Sequence, residues 1–166
     1  MRALLPLRAL RGAWLSVLAL LALGLHASLA AGAASEAGAA SAAPPEVGLW
    51  QTISDKTGKP EGYIRVTLVG GELRGVIERG MPQDDPNELC TKCPGERKNQ
   101  RKIGMTIMKG LHPQDGWWGG GEILDPDNGT VYRCKVRAVE SGRKLEVRGY
   151  IGISLLGRTQ TWLRSE

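Results

Sequence analysis

The sequence predicts an all-β fold, a small antiparallel β-barrel of about eight short strands with one long cysteine-containing loop. From residue 48 onward, apolar residues alternate with polar ones, which is the period of half-buried strands. Gly-Gly, Asn-Gly and Ser-Gly pairs separate these stretches and indicate tight turns. Glycines inside several predicted strands indicate bends, and a sheet that closes into a barrel leaves no exposed edge.

The N-terminal residues 1–33 have the pattern of a secretory signal peptide. Three arginines precede an apolar stretch, residues 13–25, and Ala31-Gly32-Ala33 provides a small-residue cleavage site. A spanning helix needs about 20 apolar residues, and this stretch is shorter. We therefore expect a cleaved signal, no stable membrane span after cleavage, and a periplasmic or secreted protein.

Removal of the signal changes the charge of the chain. The whole chain has 22 Lys and Arg against 17 Asp and Glu, a formal net charge of +5. Residues 1–33 contain three arginines and no acidic residue, so the mature chain is 19 − 17 = +2. A charge this small predicts no nucleic-acid partner.

The rest of the chain divides into two parts. Residues 34–45 are rich in Ala, Gly, Ser and Pro, which predicts a flexible tether. Residues 46–166 are predicted to form a single barrel domain.

Eight stretches carry the strand pattern. The clearest is residues 132–138, in which Tyr132, Cys134 and Val136 alternate with basic residues. Gly70-Gly71 and Asp127-Asn128-Gly129 separate neighbouring stretches as hairpin turns. The predicted strands are residues 48–53, 64–68, 73–78, 103–107, 117–124, 132–138, 145–151 and 158–164.

One segment, residues 80–102, does not fit the strand pattern. It is polar, contains proline and holds Cys90 and Cys93. Loops of this length are uncommon without a functional or structural reason. With Cys134, the chain has three cysteines, and export favours a structural disulfide. The sequence leaves three pairings open: Cys90–Cys93, Cys90–Cys134 and Cys93–Cys134.

A zinc site is the alternative use of these cysteines. His112, in a predicted turn over residues 112–115, would complete a Cys₃His set with Cys90, Cys93 and Cys134. An oxidising compartment opposes the thiolates that zinc needs, so we expect no metal and no cofactor. His112 is also the only histidine after the signal, and the chain has no nucleophile-elbow motif. We therefore expect no catalytic residues and no enzyme.

Several motifs resemble those of a bacterial family, domain of unknown function 2147. They are Gly48-Leu49-Trp50-Gln51, the Cys90-x-x-Cys93 loop leading to Ile103-Gly104-Met105, Trp118-Gly119-Gly120, Ile123-Leu124-Asp125-Pro126, Asn128-Gly129, Tyr132 and residues 148–162. The resemblance implies export and a lipocalin-like (calycin) barrel. The chain has Arg101-Lys102 where the family pattern leads us to expect a proline, which affects the path of the loop.

The resemblance also implies a pair of residues that closes the barrel. Calycins carry a Gly-x-Trp on the first strand and a cation on the last, stacked on each other. Gly48-Leu49-Trp50 matches the first part, and Arg158 or Arg164 would supply the cation. The alternative is that Trp50 is simply core and that both arginines are solvated.

The sequence is compatible with two functions. The first is binding of a small, partly apolar ligand, because the mouths of small barrels are common ligand sites; the predicted pocket residues are Met105, Trp117, Trp118 and Tyr150. The second is a non-enzymatic module that contacts an envelope protein through the basic residues of the long loop. Those residues are Arg97, Lys98, Arg101 and Lys102.

Overall fold

A computed structural model describes residues 42–166, and these residues form a closed eight-stranded antiparallel barrel. The strands are β1 Gly48–Ile53, β2 Pro60–Val69, β3 Glu72–Arg79, β4 Thr106–Gln114, β5 Trp117–Leu124, β6 Val131–Val139, β7 Lys144–Tyr150 and β8 Arg158–Arg164. Each strand pairs with the next, and β8 pairs with β1. The predicted fold is confirmed. The predicted signal and most of the tether lie outside the described residues, and the predicted domain boundaries stay predictions.

The hairpin order places the connections alternately at two ends of the barrel. One end, here called the base, holds residues 45–47 and the β2–β3, β4–β5 and β6–β7 turns. The opposite end, here called the loop end, holds the β1–β2 loop, the long loop between β3 and β4, the β5–β6 turn and the β7–β8 loop. The connections at the loop end are therefore longer than the tight turns at the base.

The interior of the barrel is filled by side chains of the barrel itself. Trp50 is 0% and Trp162 2% exposed, and the two indoles supply much of the buried volume near the base. Neighbouring strands contribute Val66, Leu73, Met108, Leu111, Val136, Leu145 and Val147 to the same cluster. This alternation of buried and exposed positions is what the period-two pattern predicts.

The β4–β5 hairpin differs from the sequence prediction in its turn. The predicted turn at residues 112–115 is wrong, because Pro113 lies inside β4, opposite Trp118. The chain reverses instead at Asp115 and Gly116, whose φ angles are 49° and 75°. A tight hairpin needs such positive φ values, and Gly adopts them without steric cost. β4 therefore ends later than predicted, at Gln114, and it also begins later, at Thr106.

The long loop is held against the barrel by its own contacts. Leu89 and Arg101 form an isolated antiparallel bridge that narrows the loop at its centre. The Lys102 ammonium donates to the carboxylates of Glu88 at 2.6 Å and Asp127 at 2.7 Å, which joins the loop to the β5–β6 turn. At Gly129 a Cβ would lie 1.9 Å from the Lys92 carbonyl oxygen, so the backbones meet there without space for a side chain.

Candidate functional site

At the base, Arg164 of β8 lies over Trp50 of β1. The guanidinium carbon is 4.2 Å from the centroid of the Trp50 ring. Its nitrogens donate to the main-chain carbonyls of Pro45, Gly142 and Val47, the last at 3.1 Å. A planar guanidinium can stack on an indole and use its in-plane N–H groups at the same time. Arg164 therefore joins the first strand, the last strand and the β6–β7 turn.

Arg158, the other arginine considered from the sequence, lies far from Trp50 at the opposite end of β8. Its guanidinium makes an ion pair with the carboxylate of Asp55 in the β1–β2 loop. The side chain of Arg158 is 57% exposed. The structure therefore separates the roles of the two arginines: Arg164 caps the base, and Arg158 joins the start of β8 to the β1–β2 loop at the loop end.

A cleft of about 430 Å³ opens beside the β4–β5 hairpin at the base. We call it the tryptophan cleft. It is lined by Glu46, Pro113, Gln114, Asp115, Gly116, Trp117 and Trp118. Both tryptophans are half-buried, so part of each indole faces the cleft. Two of the four pocket residues predicted from the sequence thus lie together here.

Glu46 forms the buried floor of the tryptophan cleft and is 7% exposed. One carboxylate oxygen accepts the main-chain N–H of Ala138 at 2.9 Å, and the other accepts the indole N–H of Trp118 at 3.1 Å. The main-chain carbonyl of Glu46 accepts the indole N–H of Trp50 at 2.8 Å. A buried carboxylate is stable only when its oxygens find donors, and these contacts supply them.

The ring of Trp117 is in contact with two cations of β6. The Lys135 ammonium lies 4.5 Å and the Arg137 guanidinium carbon 4.2 Å from the ring centroid. Arg137 also donates to the carboxylate of Glu146 on β7 at 2.7 Å. These cation–π contacts hold the indole in one orientation at the rim of the cleft.

A second cleft, of about 550 Å³, lies between the long loop and β4. We call it the loop cleft. It is lined by Pro94, Gly95, Glu96, Arg97, Gln100, Gly104, Met105, Thr106 and Lys109. Met105, the third predicted pocket residue, is 4% exposed and offers little surface to a ligand. Arg97 and Lys109 lie 3.6 and 3.4 Å from the same Glu122 oxygen, so their charges are partly neutralised.

Tyr150, the fourth predicted pocket residue, lies at the end of β7, opposite Arg133 of β6. It lines neither of the two clefts. The four predicted residues therefore do not converge on one cavity. Of the basic residues predicted to contact an envelope partner, Arg97 and Lys102 make ion pairs within the molecule, whereas Lys98 and Arg101 are exposed.

Cys90 and Cys93 form the disulfide, and Cys134 is a buried thiol. The predicted structural disulfide is therefore present as the short Cys-x-x-Cys bridge, and no bridge reaches Cys134. Burial raises the pKa of the Cys134 thiol to about 12. The Cys₃His zinc set is not assembled, because two of its sulfurs are bonded to each other. His112 lies on β4, with its Nδ1 3.3 Å from the Gly71 carbonyl oxygen.

Two further observations concern residues 42–166 alone. No group of three or more His, Cys, Asp or Glu side chains there has an arrangement that could hold a metal ion. No helix within this range has the length and apolar character needed to cross a membrane.

Glu46 is the residue that sequence reasoning missed. It precedes β1 and carries no motif, and its partners Trp118 and Ala138 are far along the chain. A single acidic residue between prolines and the first strand gives no signal of burial. Only the closure of the barrel brings residues 45–47 over the start of β5 and the end of β6.

Comparison with known proteins identifies a solved structure with a similar fold and the family to which the chain belongs. Protein HP1028 from the human pathogen Helicobacter pylori, whose structure is described as belonging to the lipocalin family, aligns with a TM-score of 0.64. The two chains are 18% identical over 73% of this chain and 83% of the other, a likeness that shows a common fold. No curated protein matches the chain. The model of the family described as "uncharacterized protein conserved in bacteria (DUF2147)" matches residues 48–164, which span the barrel from β1 to β8, and the chain belongs to that family.

Proposed function

We propose that this barrel binds a small, partly apolar ligand in the tryptophan cleft. The observation that supports the proposal is the pairing of two half-buried indoles, Trp117 and Trp118, with a buried carboxylate, Glu46, in one concave site. Ligand sites commonly measure about 300–1,000 Å³ and combine aromatic walls with a few placed polar groups. The cleft of about 430 Å³ falls in this range.

The polar lining of the cleft favours a ligand that donates hydrogen bonds. Three residues that line the cleft carry side-chain oxygens: Glu46, Gln114 and Asp115. Each Glu46 oxygen accepts one hydrogen bond from the protein, and a carboxylate oxygen can accept a second. An ammonium or hydroxyl head group with a short apolar tail would match this chemistry, with the tail against the indoles.

The loop cleft supports the same function less well, although it is larger. Its one large apolar side chain, Met105, is almost completely covered, and the charges of Arg97 and Lys109 are directed to Glu122. A ligand there would compete with existing ion pairs and would cover little apolar surface. Aromatic side chains contribute the largest contact area to binding, and they lie in the tryptophan cleft.

A matched pair of probes tests the proposal. Octylamine and octanoate have the same apolar tail and opposite head-group charges. We expect octylamine to change the tryptophan fluorescence in a saturable way and octanoate to bind at least about tenfold more weakly, because a carboxylate head group faces Glu46 and Asp115. Calorimetry of the same titrations provides a readout that does not depend on fluorescence.

Two variants locate the binding. Trp117→Ala removes rim surface of the cleft and is expected to weaken octylamine binding, whereas Met105→Leu in the loop cleft is expected to leave it unchanged. Mass spectrometry of material extracted from protein purified from its native host provides an unbiased test. Absence of any bound molecule, together with no response to either probe, would contradict the proposal.

We also propose that the protein acts outside the cytoplasm. The signal-like pattern of residues 1–33 and the Cys90–Cys93 disulfide support this location, because structural disulfides persist in oxidising compartments. Fractionation of the native bacterium with antibodies to the barrel tests it. Recovery of the unprocessed chain in the cytoplasm, with both cysteines reduced, would contradict it.

A further inference from the structure

The β7–β8 loop, residues 151–157, presents four large aliphatic side chains to solvent. The exposed fraction is 69% for Ile151, 61% for Ile153, 80% for Leu155 and 79% for Leu156. The other exposed large apolar side chains of residues 42–166 reach at most 48%, and they are not clustered in this way. Contiguous exposed apolar residues on a folded domain indicate an interaction surface. We call residues 151–157 the apolar loop.

Four hydrogen bonds within the molecule satisfy polar groups of the apolar loop's backbone. The guanidinium of Arg148 donates to the carbonyl of Ser154 at 2.7 Å and to the carbonyl of Leu155 at 3.0 Å. The N–H of Leu156 bonds to the carbonyl of Ile153, and the N–H of Gly157 bonds to that of Ser154, both at 3.2 Å. An apolar environment penalises unpaired backbone groups. These bonds remove part of that penalty before any partner binds.

The apolar loop is also held in a defined position. At Gly157 a Cβ would lie 2.7 Å from the carbonyl oxygen of Gly149 and 2.8 Å from the Cβ of Tyr150. The end of the loop therefore packs directly on β7, and the third Arg148 contact, to Thr159 at 2.8 Å, fixes its return into β8. With the backbone turned inward, the aliphatic side chains point outward. The exposed surface is thus preorganised.

Cations flank the apolar loop on both sides. Arg133 lies opposite Tyr150 on one side, and the β1–β2 loop, joined to β8 by Arg158, carries the exposed Lys56 and Lys59 on the other. Neither lysine makes an ion pair within residues 42–166.

The carboxylates near the apolar loop are only partly paired. Asp55 pairs with Arg158, Asp127 shares Lys102 with Glu88, and Glu61 at the start of β2 makes no ion pair within the described part of the chain.

Four cations beside the apolar loop make no ion pair within residues 42–166, and they complement an anionic surface: Lys56, Lys59, Arg133 and Arg148.

The size of the patch argues against a protein partner. A stable protein interface buries about 800 Å² on each side, and four side chains on one short loop between charged strands fall short of this area. A lipid surface requires no such area, because a few aliphatic side chains and adjacent cations are enough for peripheral binding. We propose that the apolar loop inserts into the head-group region of an anionic bilayer and holds the loop end of the barrel at the membrane.

This inference does not depend on ligand binding, since the tryptophan cleft lies at the base. The test uses residues 34–166, which contain the whole barrel and its core, with vesicles of phosphatidylethanolamine and phosphatidylglycerol. We expect the protein to sediment with these vesicles and to bind phosphatidylcholine vesicles weakly. In the variant Leu155→Gln/Leu156→Gln, we expect the affinity for anionic vesicles to fall by about tenfold or more. The reason is that two exposed leucine side chains no longer partition into the head-group region.

A matched control makes the same chemical change elsewhere. Val69→Gln/Leu163→Gln replaces two exposed aliphatic residues towards the base and is expected to bind vesicles like the unchanged protein. Circular dichroism and thermal unfolding verify that both variants are folded. Octylamine titrations without vesicles report separately on the ligand proposal.

Three outcomes of the vesicle experiments would overturn the membrane proposal. They are absence of binding to anionic vesicles, equal binding by the Leu155→Gln/Leu156→Gln variant, and equal loss of binding in the control variant. If sedimentation velocity instead shows a dimer that the Leu155→Gln/Leu156→Gln change abolishes, the patch is covered by a second copy of the chain and the proposal is wrong.

Discussion

Glu46 accepts a hydrogen bond from the indole N–H of Trp118 at 3.1 Å, although the two residues are 72 positions apart. The same carboxylate accepts the N–H of Ala138 at 2.9 Å. The segment that leads into β1 is thereby joined to β5 and β6. One acidic side chain thus contributes both to the closure of the base and to the floor of the tryptophan cleft.

Replacement of Glu46 by alanine is expected to destabilise the barrel. The change leaves the N–H groups of Ala138 and Trp118 without their acceptor, and a buried unpaired donor costs about 1–3 kcal/mol. Glu46→Gln keeps one carbonyl oxygen and is expected to lose less. Urea unfolding monitored by tryptophan fluorescence measures the free energy of unfolding. Equal stability of Glu46→Ala and the unchanged protein would contradict this role.

The two arginines of β8 are expected to differ in their effect on stability. Arg164→Met removes donors from four main-chain oxygens at the base, each of which costs about 0.5–1.5 kcal/mol when its hydrogen bond is lost. Arg158→Met removes an exposed ion pair to Asp55, which contributes about 1 kcal/mol or less. Thermal unfolding of the two variants under the same conditions compares them. An equal decrease in Tm would show that Arg164 has no special role in closure.

Loss of the disulfide is expected to loosen the long loop while the barrel stays folded. The bridge closes only a short segment of chain, for which the entropic contribution is roughly 2 kcal/mol, and neither cysteine lies on a strand. In Cys90→Ser/Cys93→Ser we expect faster proteolysis between β3 and β4 and a small decrease in Tm. Mapping the first cleavage sites by mass spectrometry checks this. First cleavage within the strands would contradict it.

Cys134 is expected to make stability fall at alkaline pH. Burial raises the pKa of its thiol from 9.0 to about 12 in the folded protein. Between these values the unfolded chain ionises and the folded chain stays neutral, so stability is complete below pH 9 and decreases towards pH 12.

The variant Cys134→Ala isolates this contribution. Its unfolding free energy is expected to decrease less between pH 9 and 12 than that of the unchanged protein. A thiol reagent at pH 8 is expected to modify Cys134 only after unfolding, because the side chain is buried. Rapid modification of the folded protein would show that the thiol is accessible.

The sequence predicted the strands well where burial alternates with a strict period of two. Residues 132–138 were predicted as a strand and lie within β6, because alternation is a local property of the chain. The β4–β5 turn was predicted too early, because His112-Pro113 has turn-like composition while Asp115-Gly116 provides the positive φ values. Composition alone does not distinguish a proline within a strand from one in a turn.

The sequence by itself determined that this chain forms a small antiparallel barrel with one long cysteine-containing loop, since alternation, turn residues and strand glycines act over short distances. Only the tertiary structure decided that Cys90 pairs with Cys93, that Arg164 and not Arg158 lies over Trp50, that Glu46 is buried, and that Met105 and Tyr150 lie apart from the tryptophan cleft. These outcomes depend on the register with which β8 closes on β1 and on the direction in which the loop folds back. Both are set by contacts between residues distant in sequence, which no local pattern encodes.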